Sequence, residues 1–357
     1  MKNMRLEDAK RLLTITGCSH LLISDTTDVE YVSGFKSSNV SAIISKRKNV
    51  LLSDFRYKSA ADVFCGLNPE WKFVLVKERF LDVIGKYVPA GSILGYQSDF
   101  MTVDKYSELK KSLKNVKLKS VSTDIASLSL TKNDSEIDLM RRAAAIGDLA
   151  LKKLQSFIKP GVTEIEVARK LEIYCNEGGS EKPSFDTIVL FGKRAALPHG
   201  KPQNVPLKKG DWILIDFGCT VGGFCSDITR TFVCNKASDL QKKIYGIVKE
   251  AQSLARHAAR AGISSKSLDG VARSYIQKEG YGNEFGHALG HGVGIRVHER
   301  PRVSPQVDEI LAINSVITIE PGIYIAESGG VRIEDMMVLQ KESSYELTNF
   351  PRELQEI

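Results

Sequence analysis

Two short segments in the middle of the chain decide the fold, because each places one aspartate in a strand-like run. Residues 212–218 read WILIDFG, and residues 225–231 read CSDITRT. The first segment predicts a buried strand that only Asp216 interrupts, and burying an unpaired carboxylate costs several kcal/mol. Asp216 therefore needs a partner, for which a metal cation and a salt bridge are both candidates.

The second aspartate is predicted to lie beside the first. Strand alternation places Asp227 and Thr229 on one face, and a hairpin turn at the glycines of residues 222–223 would pair this strand with the one that carries Asp216. Two facing aspartates are unfavourable unless a cation lies between them. The alternative is that both aspartates face solvent.

Outside these segments the sequence alternates strand and helix patterns, which predicts an α/β (α+β) fold. The predicted strands cover residues 19–23, 42–44, 50–53, 187–191, 212–217, 227–233, 316–319 and 331–339. The predicted helices cover residues 103–114, 136–158, a segment that begins at the capping box of Thr163 and Glu166, 240–261 and 265–279. A polar stretch near residue 124 suggests two domains, residues 1–124 and 125–357, and two domains suit a chain of 357 residues.

Residues 285–298 read FGHALGHGVGIRVH and contain three of the six histidines of the chain. A lone histidine is usually a core residue, but three within twelve residues, interleaved with glycines, favour a site that the backbone approaches closely. The spacing of His287 and His291 resembles the HExxH helix of zinc proteases. Ala288 follows His287, however, and the glycines disfavour a helix, so that alternative fails.

Two further carboxylates lie at predicted strand ends. Glu320 follows residues 316–319, and Glu334 shares a strand face with Arg332. Each alone would be an ordinary strand-end carboxylate. Four carboxylates and one imidazole together suit two divalent cations, which could be manganese, cobalt, iron or zinc. Such a pair generates a hydroxide at neutral pH and polarises a carbonyl, so the residues predict metal-assisted hydrolysis.

Composition excludes several other classes. The net charge of +7 comes from 50 basic and 43 acidic residues and is diffuse, so we expect no nucleic-acid partner. No run of about 20 apolar residues predicts a membrane helix, and the first residues contain no apolar run typical of a signal peptide. None of the six cysteines forms a CxxC pair. We expect a cytoplasmic protein with no membrane partner.

Five motifs in order resemble the Xaa-Pro peptidases, that is, the prolidases and aminopeptidases P of the pita-bread fold. They are residues 215–218, 226–231, 290–294, 319–324 and 331–335, and residues 198–200 fit the same pattern. Residues 31–35 and 53–57 resemble the smaller creatinase-like domain of that family. The resemblance implies a creatinase-like α/β domain followed by a pita-bread catalytic domain, and a homodimer.

The resemblance also implies a role for each metal ligand. Asp216 would bind one metal ion, and His291 with Glu320 would bind the other. Asp227 and Glu334 would bridge the two ions, and Glu334 also belongs to the catalytic set.

Five other residues take roles from the same resemblance. His298 would hold the scissile carbonyl and stabilise the tetrahedral intermediate, with His199 as its partner on the substrate side. His287 would line the proline pocket. Arg332 would orient Glu334 and contact substrate, and Tyr324 would lie beside the ligands or in the pocket.

Arg302 bears on the choice between two activities. A dipeptidase must recognise the carboxylate of a C-terminal proline, and the planar fork of arginine can bind it with two hydrogen bonds. Residues 298–302 resemble the prolidase version of this segment, although Arg302 could also be a solvated loop residue. We expect an Xaa-Pro dipeptidase acting on proline-containing di- or oligopeptides. Aminopeptidase P is the alternative, and a metal-free pita-bread binding module is an alternative from another class.

Overall fold

A computed structural model describes residues 4–77 and 79–357 of the chain. It divides the chain into two compact units, Met1–Leu128 and Ser129–Ile357. Residue 124, where we placed the predicted boundary, lies in the last helix of the first unit, and that boundary stays a prediction. Within the described residues, no helix is both long and apolar enough to cross a bilayer.

The first unit is a six-stranded sheet with apolar clusters on both faces. Its strands are β1 His20–Ile23, β2 Val40–Ser45, β3 Asn49–Ser53, β4 Trp71–Leu75, β5 Ile93–Tyr96 and β6 Lys117–Ser120. Its helices are α1 Met4–Thr16, α2 Thr26–Ser33, α3 Lys58–Leu67, α4 Phe80–Ile84, α5 Val103–Ser112 and α6 Ser122–Ala126. The strand order is β4-β3-β2-β1-β5-β6, and β2 is antiparallel to both neighbours. Because side chains alternate along a strand, Leu21 and Ile23 join one cluster and Leu22 joins the other.

The second unit contains the remaining helices and strands. Its helices are α7 Asp134–Leu154, α8 Glu164–Glu177, α9 Asp239–Ala258 and α10 Ser265–Lys278. Its strands are β7 Ile188–Phe191, β8 Trp212–Phe217, β9 Thr220–Val221, β10 Phe224–Cys225, β11 Ile228–Val233, β12 Gly290–Gly292, β13 Glu299–Val303, β14 Val316–Ile319, β15 Gly322–Ile325, β16 Gly329–Arg332, β17 Asp335–Leu339 and β18 Ser344–Glu346. They form a three-stranded sheet β11-β8-β7, a five-stranded sheet β13-β12-β14-β17-β18, and the pairs β9-β10 and β15-β16.

The helices of this unit begin where the sequence provides caps. Thr163 and Glu166 form the predicted capping box at the start of α8, and equivalent boxes begin α7 and α9. Helices α7 and α8 pack on one apolar cluster, and α9 and α10 pack on another.

Strand β8 separates these two clusters and sets the direction of Asp216. Ile213, Ile215 and Phe217 point to the cluster of α7 and α8. The intervening Trp212 and Leu214 point to the other cluster. Alternation places Asp216 on the face of Trp212 and Leu214, at the end of the strand.

Candidate active site

The first part of the site is built by strands β8 and β11. Gly222 and Gly223 both have positive φ angles, 56° and 79°, so the two-residue connection of β9 and β10 has the backbone of a type I′ turn. The chain then returns along β11, which pairs antiparallel with β8 and places Thr229 opposite Asp216. Directly opposed residues share a face, and Asp227, two residues before Thr229, lies on that face too.

The second part is built where strands β14 and β17 end. Their last pair is Ile319 with Asp335, so Glu320 and Glu334 are the next residues beyond the ladder on either side. The Glu334 backbone N–H donates to the Thr229 carbonyl oxygen at 3.1 Å. The Thr229 hydroxyl in turn donates to Oε2 of Glu334 at 2.6 Å. These two bonds join the three-stranded sheet to the five-stranded sheet at the site.

The glycines around His291 allow β12 to lie between its neighbours. A side chain at Gly290 would collide with the carbonyl of Thr318, and one at Gly292 would collide with the carbonyl of Arg300. Residues 290–292 therefore form a strand, which agrees with the rejection of an HExxH helix. The backbone N–H of His291 donates to the Thr318 hydroxyl at 3.1 Å.

His291 presents its Nε2 atom to two carboxylates. Its Nδ1 lies 3.0 Å from the Gly292 carbonyl oxygen, while Nε2 lies 3.6 Å from Oδ2 of Asp227 and 3.3 Å from Oε1 of Glu320. Metal-binding histidines are commonly held in this way, with one ring nitrogen on a carbonyl and the other facing the ion. One ligand-type atom from each of Asp227, His291 and Glu334 lies within 4.8 Å of the others.

The charge of the pocket fits divalent cations. Asp216, Asp227 and Glu334 are buried, and Glu320 lies beside them. Of these four carboxylates, Asp216 is the one to which the Arg332 guanidinium donates directly in the described part of the chain, at 2.5 Å. Oδ1 of Asp216 and Oδ1 of Asp227 are buried without a hydrogen-bond partner in the described part of the chain. Burial, and then the charge of a neighbouring carboxylate, raises the pKa of Asp227 and of Glu334. Unpaired acceptor oxygens and clustered carboxylates are what two divalent ions would neutralise.

Arg332 connects this pocket to a second group of side chains. Its Nε donates to the Thr229 hydroxyl at 3.0 Å, and its Nη1 donates to the Tyr324 hydroxyl at 2.8 Å. The Thr229 hydroxyl therefore bonds to both side chains and links Arg332 to Glu334. The predicted role of Arg332 in orienting Glu334 stays a prediction.

Tyr324 continues the chain of hydrogen bonds to His287. Nδ1 of His287 lies 2.8 Å from the Ala288 carbonyl oxygen and must donate to it, so Nε2, at 3.0 Å, accepts from the Tyr324 hydroxyl. Burial raises the pKa of Tyr324 to about 12 and lowers the pKa of His287. The hydrogen bonds hold both rings in place, and the two side chains form one wall of the pocket.

Two histidines lie at the mouth of the pocket. The ring of His298 lies 4.3 Å from the ring of His291, centroid to centroid. Burial lowers the pKa of both His287 and His298. His199 is exposed and close enough to both rings for its charge to lower each pKa further.

Arg302 is exposed and lies opposite His291 in the pairing of β12 with β13. Directly opposed residues on antiparallel strands share a face, so Arg302 leaves the sheet on the side of the pocket. Its backbone N–H donates to Glu309 at 3.2 Å. Within residues 4–77 and 79–357, no acidic side chain pairs with its guanidinium.

One residue behind the site was missed by reasoning from the sequence. Arg230 is fully buried and donates to the carbonyl oxygens of Thr229 at 2.9 Å and Glu334 at 2.6 Å, and to Oδ1 of Asp335 at 2.7 Å. It thus ties together the backbones of two residues that face the site. In the sequence, Arg230 is a charged residue between Thr229 and Thr231 in the strand 228–233, on the face opposite to theirs.

A buried pocket of four carboxylates and one histidine, placed at strand ends of an α/β unit, defines a metal-dependent hydrolase, and the comparisons make this specific. Residues 138–341 match metallopeptidase family M24, and residues 5–128 match the creatinase/prolidase N-terminal domain. The chain belongs to metallopeptidase family M24. The predicted family, fold class and enzyme class are confirmed, and the enzyme class implies a divalent metal cofactor.

Relatives with two different activities resemble the chain. An Xaa-Pro dipeptidase of Pyrococcus horikoshii is 38% identical over 94% of this chain and 93% of its own length. The solved structure of an Xaa-Pro dipeptidase from Bacillus anthracis matches with a TM-score of 0.93 at 35% identity, covering 99% of each chain. The structure of an X-Pro aminopeptidase from Thermotoga maritima matches with a TM-score of 0.92 at 34% identity, also covering 99% of each chain. Overall similarity therefore does not separate the two activities.

Proposed function

We propose that the protein is an Xaa-Pro dipeptidase (prolidase) that uses two divalent metal ions. The observation that carries this proposal is the convergence of Asp216, Asp227, His291, Glu320 and Glu334 on one pocket. A binding module without metal would have no need for this set of buried acceptors, two of which have no hydrogen-bond partner among the described residues.

In this proposal Asp216, Asp227, His291, Glu320 and Glu334 would hold the two ions. Carboxylates with one imidazole suit manganese, cobalt, iron or zinc. When bound, the ions supply a hydroxide nucleophile and polarise the scissile carbonyl.

The residues of the chain perform the remaining steps. We assign His298, which lies beside His291 at the mouth of the pocket, to donate a hydrogen bond to the developing oxyanion. His199 contacts the substrate on the same side. Glu334, whose Oε2 accepts the Thr229 hydroxyl, would take a proton from the attacking water and pass it to the proline nitrogen as the peptide bond breaks.

The wall of His287 and Tyr324 suits a proline ring. Proline carries no amide N–H, so a peptidase that cleaves before it cannot rely on a backbone hydrogen bond at that residue. A site that holds the ring and the chain ends avoids this need. Two mutually hydrogen-bonded aromatic side chains provide a fixed surface for the ring.

Arg302 favours the dipeptidase over the aminopeptidase. Its exposed guanidinium lies on the face of the sheet that carries His291 and has no acidic partner in the described part of the chain. A free guanidinium at that place can bind the carboxylate of a C-terminal proline with two hydrogen bonds. In an Xaa-Pro-Yaa peptide that carboxylate lies one residue further away.

A substrate panel tests this assignment. The enzyme is reconstituted with manganese, and initial rates are compared for Xaa-Pro and Xaa-Pro-Yaa peptides that share the first residue. We expect a strong preference for the dipeptide. Equal or faster cleavage of the tripeptide would reassign the protein to aminopeptidase P, and failure to bind any metal would favour a binding module.

Two variants test whether Arg302 is the residue that makes the enzyme prefer Xaa-Pro over Xaa-Pro-Yaa. Arg302→Ala should raise KM for Xaa-Pro far more than for Xaa-Pro-Yaa. Arg300→Ala is the matched control, because Arg300 is also exposed but pairs with Glu309 at 2.6 Å. Equal effects of the two substitutions on both substrates would show that Arg302 does not bind the carboxylate of the C-terminal proline.

We also propose that the protein acts as a homodimer in the cytoplasm. The dimer rests on the family resemblance, and light scattering after size-exclusion chromatography would measure it. All six cysteines are free thiols, which suits a reducing compartment.

A further inference from the structure

The segment that carries His199 has little regular structure. It leaves β7 after Phe191, forms a single 3₁₀ turn over Gly192–Ala196, and continues to Gln203 without a helix or strand. Exposed segments of this kind are mobile unless they are tied down. An exposed imidazole such as His199 can act at a fixed place only if the segment is held.

The carboxylate of Glu164 accepts hydrogen bonds at both ends of this segment, residues 192–203. Glu164 is the first residue of α8, and its side chain is completely buried. Oε1 accepts the Phe191 backbone N–H at 2.8 Å, and Oε2 accepts the Gln203 backbone N–H at 2.8 Å. The Nε of Arg194 lies 3.0 and 3.1 Å from the same two oxygens. Arg194 also donates from Nη2 to the Lys201 carbonyl oxygen at 2.7 Å, which closes the segment on itself.

The other side of the segment packs closely on strand β16. A side chain at Gly329 would lie 2.6 Å from the Gly192 carbonyl oxygen, and one at Gly330 would lie 2.5 Å from the Ala195 carbonyl oxygen. At the end of β16, Nη1 of Arg332 lies 3.4 Å from the carbonyl oxygen of Pro198, the residue before His199. The segment 192–203 is therefore held between Glu164 on one side and strand β16, which leads to the pocket, on the other.

We propose that Glu164 is a positioning residue for the hydrolytic reaction, which holds the segment 192–203 so that His199 faces the substrate. Within the described residues, the Glu164 side chain has no hydrogen bond to a candidate metal ligand. The inference rests on the proposed function in one respect, namely that His199 contacts the substrate.

A double-mutant cycle on the metal-loaded, full-length enzyme tests the proposal. Glu164→Gln keeps the shape of the side chain but removes the charge and turns one acceptor into a donor that faces N–H groups. We expect kcat/KM for Xaa-Pro to fall on the order of 10- to 100-fold, because small misplacements of a catalytic group have effects of this size. Metal content should stay at the wild-type value. Glu164→Gln combined with His199→Ala should be no worse than His199→Ala alone, within about twofold.

Glu166→Gln is the matched control on the same helical turn. In the part of the chain that the structure describes, the exposed Glu166 carboxylate accepts from the Thr163 backbone N–H and hydroxyl alone, both at 2.8 Å. This variant should keep wild-type kcat/KM. Limited trypsin digestion gives a readout that does not depend on activity, since Lys193 and Arg194 lie in the segment. Cleavage after these residues should be faster in Glu164→Gln than in Glu166→Gln.

The outcomes distinguish a failure of the positioning role of Glu164 from a failure of the proposed dipeptidase activity. Wild-type kcat/KM in Glu164→Gln, or effects of Glu164→Gln and His199→Ala that multiply, would overturn the positioning role while the dipeptidase assignment stands. If the wild-type enzyme fails to cleave Xaa-Pro, the proposed function fails, and the trypsin comparison still decides whether Glu164 holds the segment. Equal digestion of the two variants would then refute the proposal.

Discussion

A buried ion pair behind His298 allows a prediction whose magnitude follows from the structure. Nζ of Lys132 lies 2.5 Å from Oε1 of Glu299, and their side chains are only 1% and 6% exposed. Oε2 of Glu299 is buried and has no hydrogen-bond partner in the described residues. The carboxylate occupies the space that Gly294 leaves, because a side chain there would collide with it.

The perturbation is Lys132→Met, which removes the ammonium group and keeps most of the volume. The carboxylate of Glu299 would then be buried without any partner, and removal of one member of a buried pair costs about 3–5 kcal/mol. The double substitution Lys132→Met with Glu299→Met removes both charges. Replacement of a whole buried pair by apolar residues is often neutral or stabilising, so we expect the double variant to lie within about 1 kcal/mol of the wild type.

Differential scanning calorimetry measures the effect on the transition of the unit Ser129–Ile357. For a unit of this size each kcal/mol shifts Tm by about 2–4 °C, so Lys132→Met should lower Tm by roughly 6–20 °C. Lys249→Met is the control, because Lys249 pairs with Glu353 at a similar 2.6 Å but the two side chains are 44% and 69% exposed. It should shift Tm by no more than about 2–4 °C, since exposed pairs contribute at most about 1 kcal/mol. If Lys132→Met and Lys249→Met shift Tm equally, or if the double variant is less stable than the single variant, the reasoning is wrong.

Three further outcomes follow from the site. His298→Ala should retain its metal, measured by plasma mass spectrometry, but lose on the order of 100- to 1000-fold in kcat, and a parallel loss of metal would contradict the oxyanion role. Thr229→Val leaves Arg332 Nε and Glu334 Oε2 without their shared hydroxyl, so metal affinity measured by titration should weaken on the order of 10- to 100-fold; unchanged affinity would mean that Thr229 does not orient Glu334. Chelation should lower Tm and added manganese should restore it, because an ion that binds only the folded state stabilises that state, whereas an unchanged Tm would contradict metal binding.

Local sequence patterns predicted those elements that local forces determine. The apolar runs 212–217 and 316–319 predicted strands with the observed bounds, and the capping box of Thr163 predicted the start of α8. The predicted strand 331–339 is instead two strands that separate at Glu334. The first pairs with β15 and the second with β14 and β18, and such long-range pairing is not visible in alternation along one segment.

The same distinction applies to the site. Ligand-type residues stand out in sequence because each interrupts an apolar or glycine-rich run, and the resemblance then implies their roles. Glu164 has no such signal, because an acid in the first turn of a helix has an ordinary explanation in the helix dipole. Lys132 reads equally well as a surface lysine. Their significance depends on which distant backbone groups the fold brings to them, and therefore only the structure identifies them.

The positions of the candidate ligands explain why so many charges are buried around this site. Asp227, Glu320 and Glu334 lie just outside their strands, where the regular ladder of backbone hydrogen bonds ends. Strand ends cannot rely on the ladder for rigidity, and a metal site requires its ligands at defined separations. Side chains with several donors or acceptors perform this task here. Arg230 donates to the carbonyl oxygens of Thr229 and Glu334 from behind the site. The cost of burying such charges is offset by the hydrogen bonds that they complete, and the fold thereby gains rigidity where the chemistry requires it.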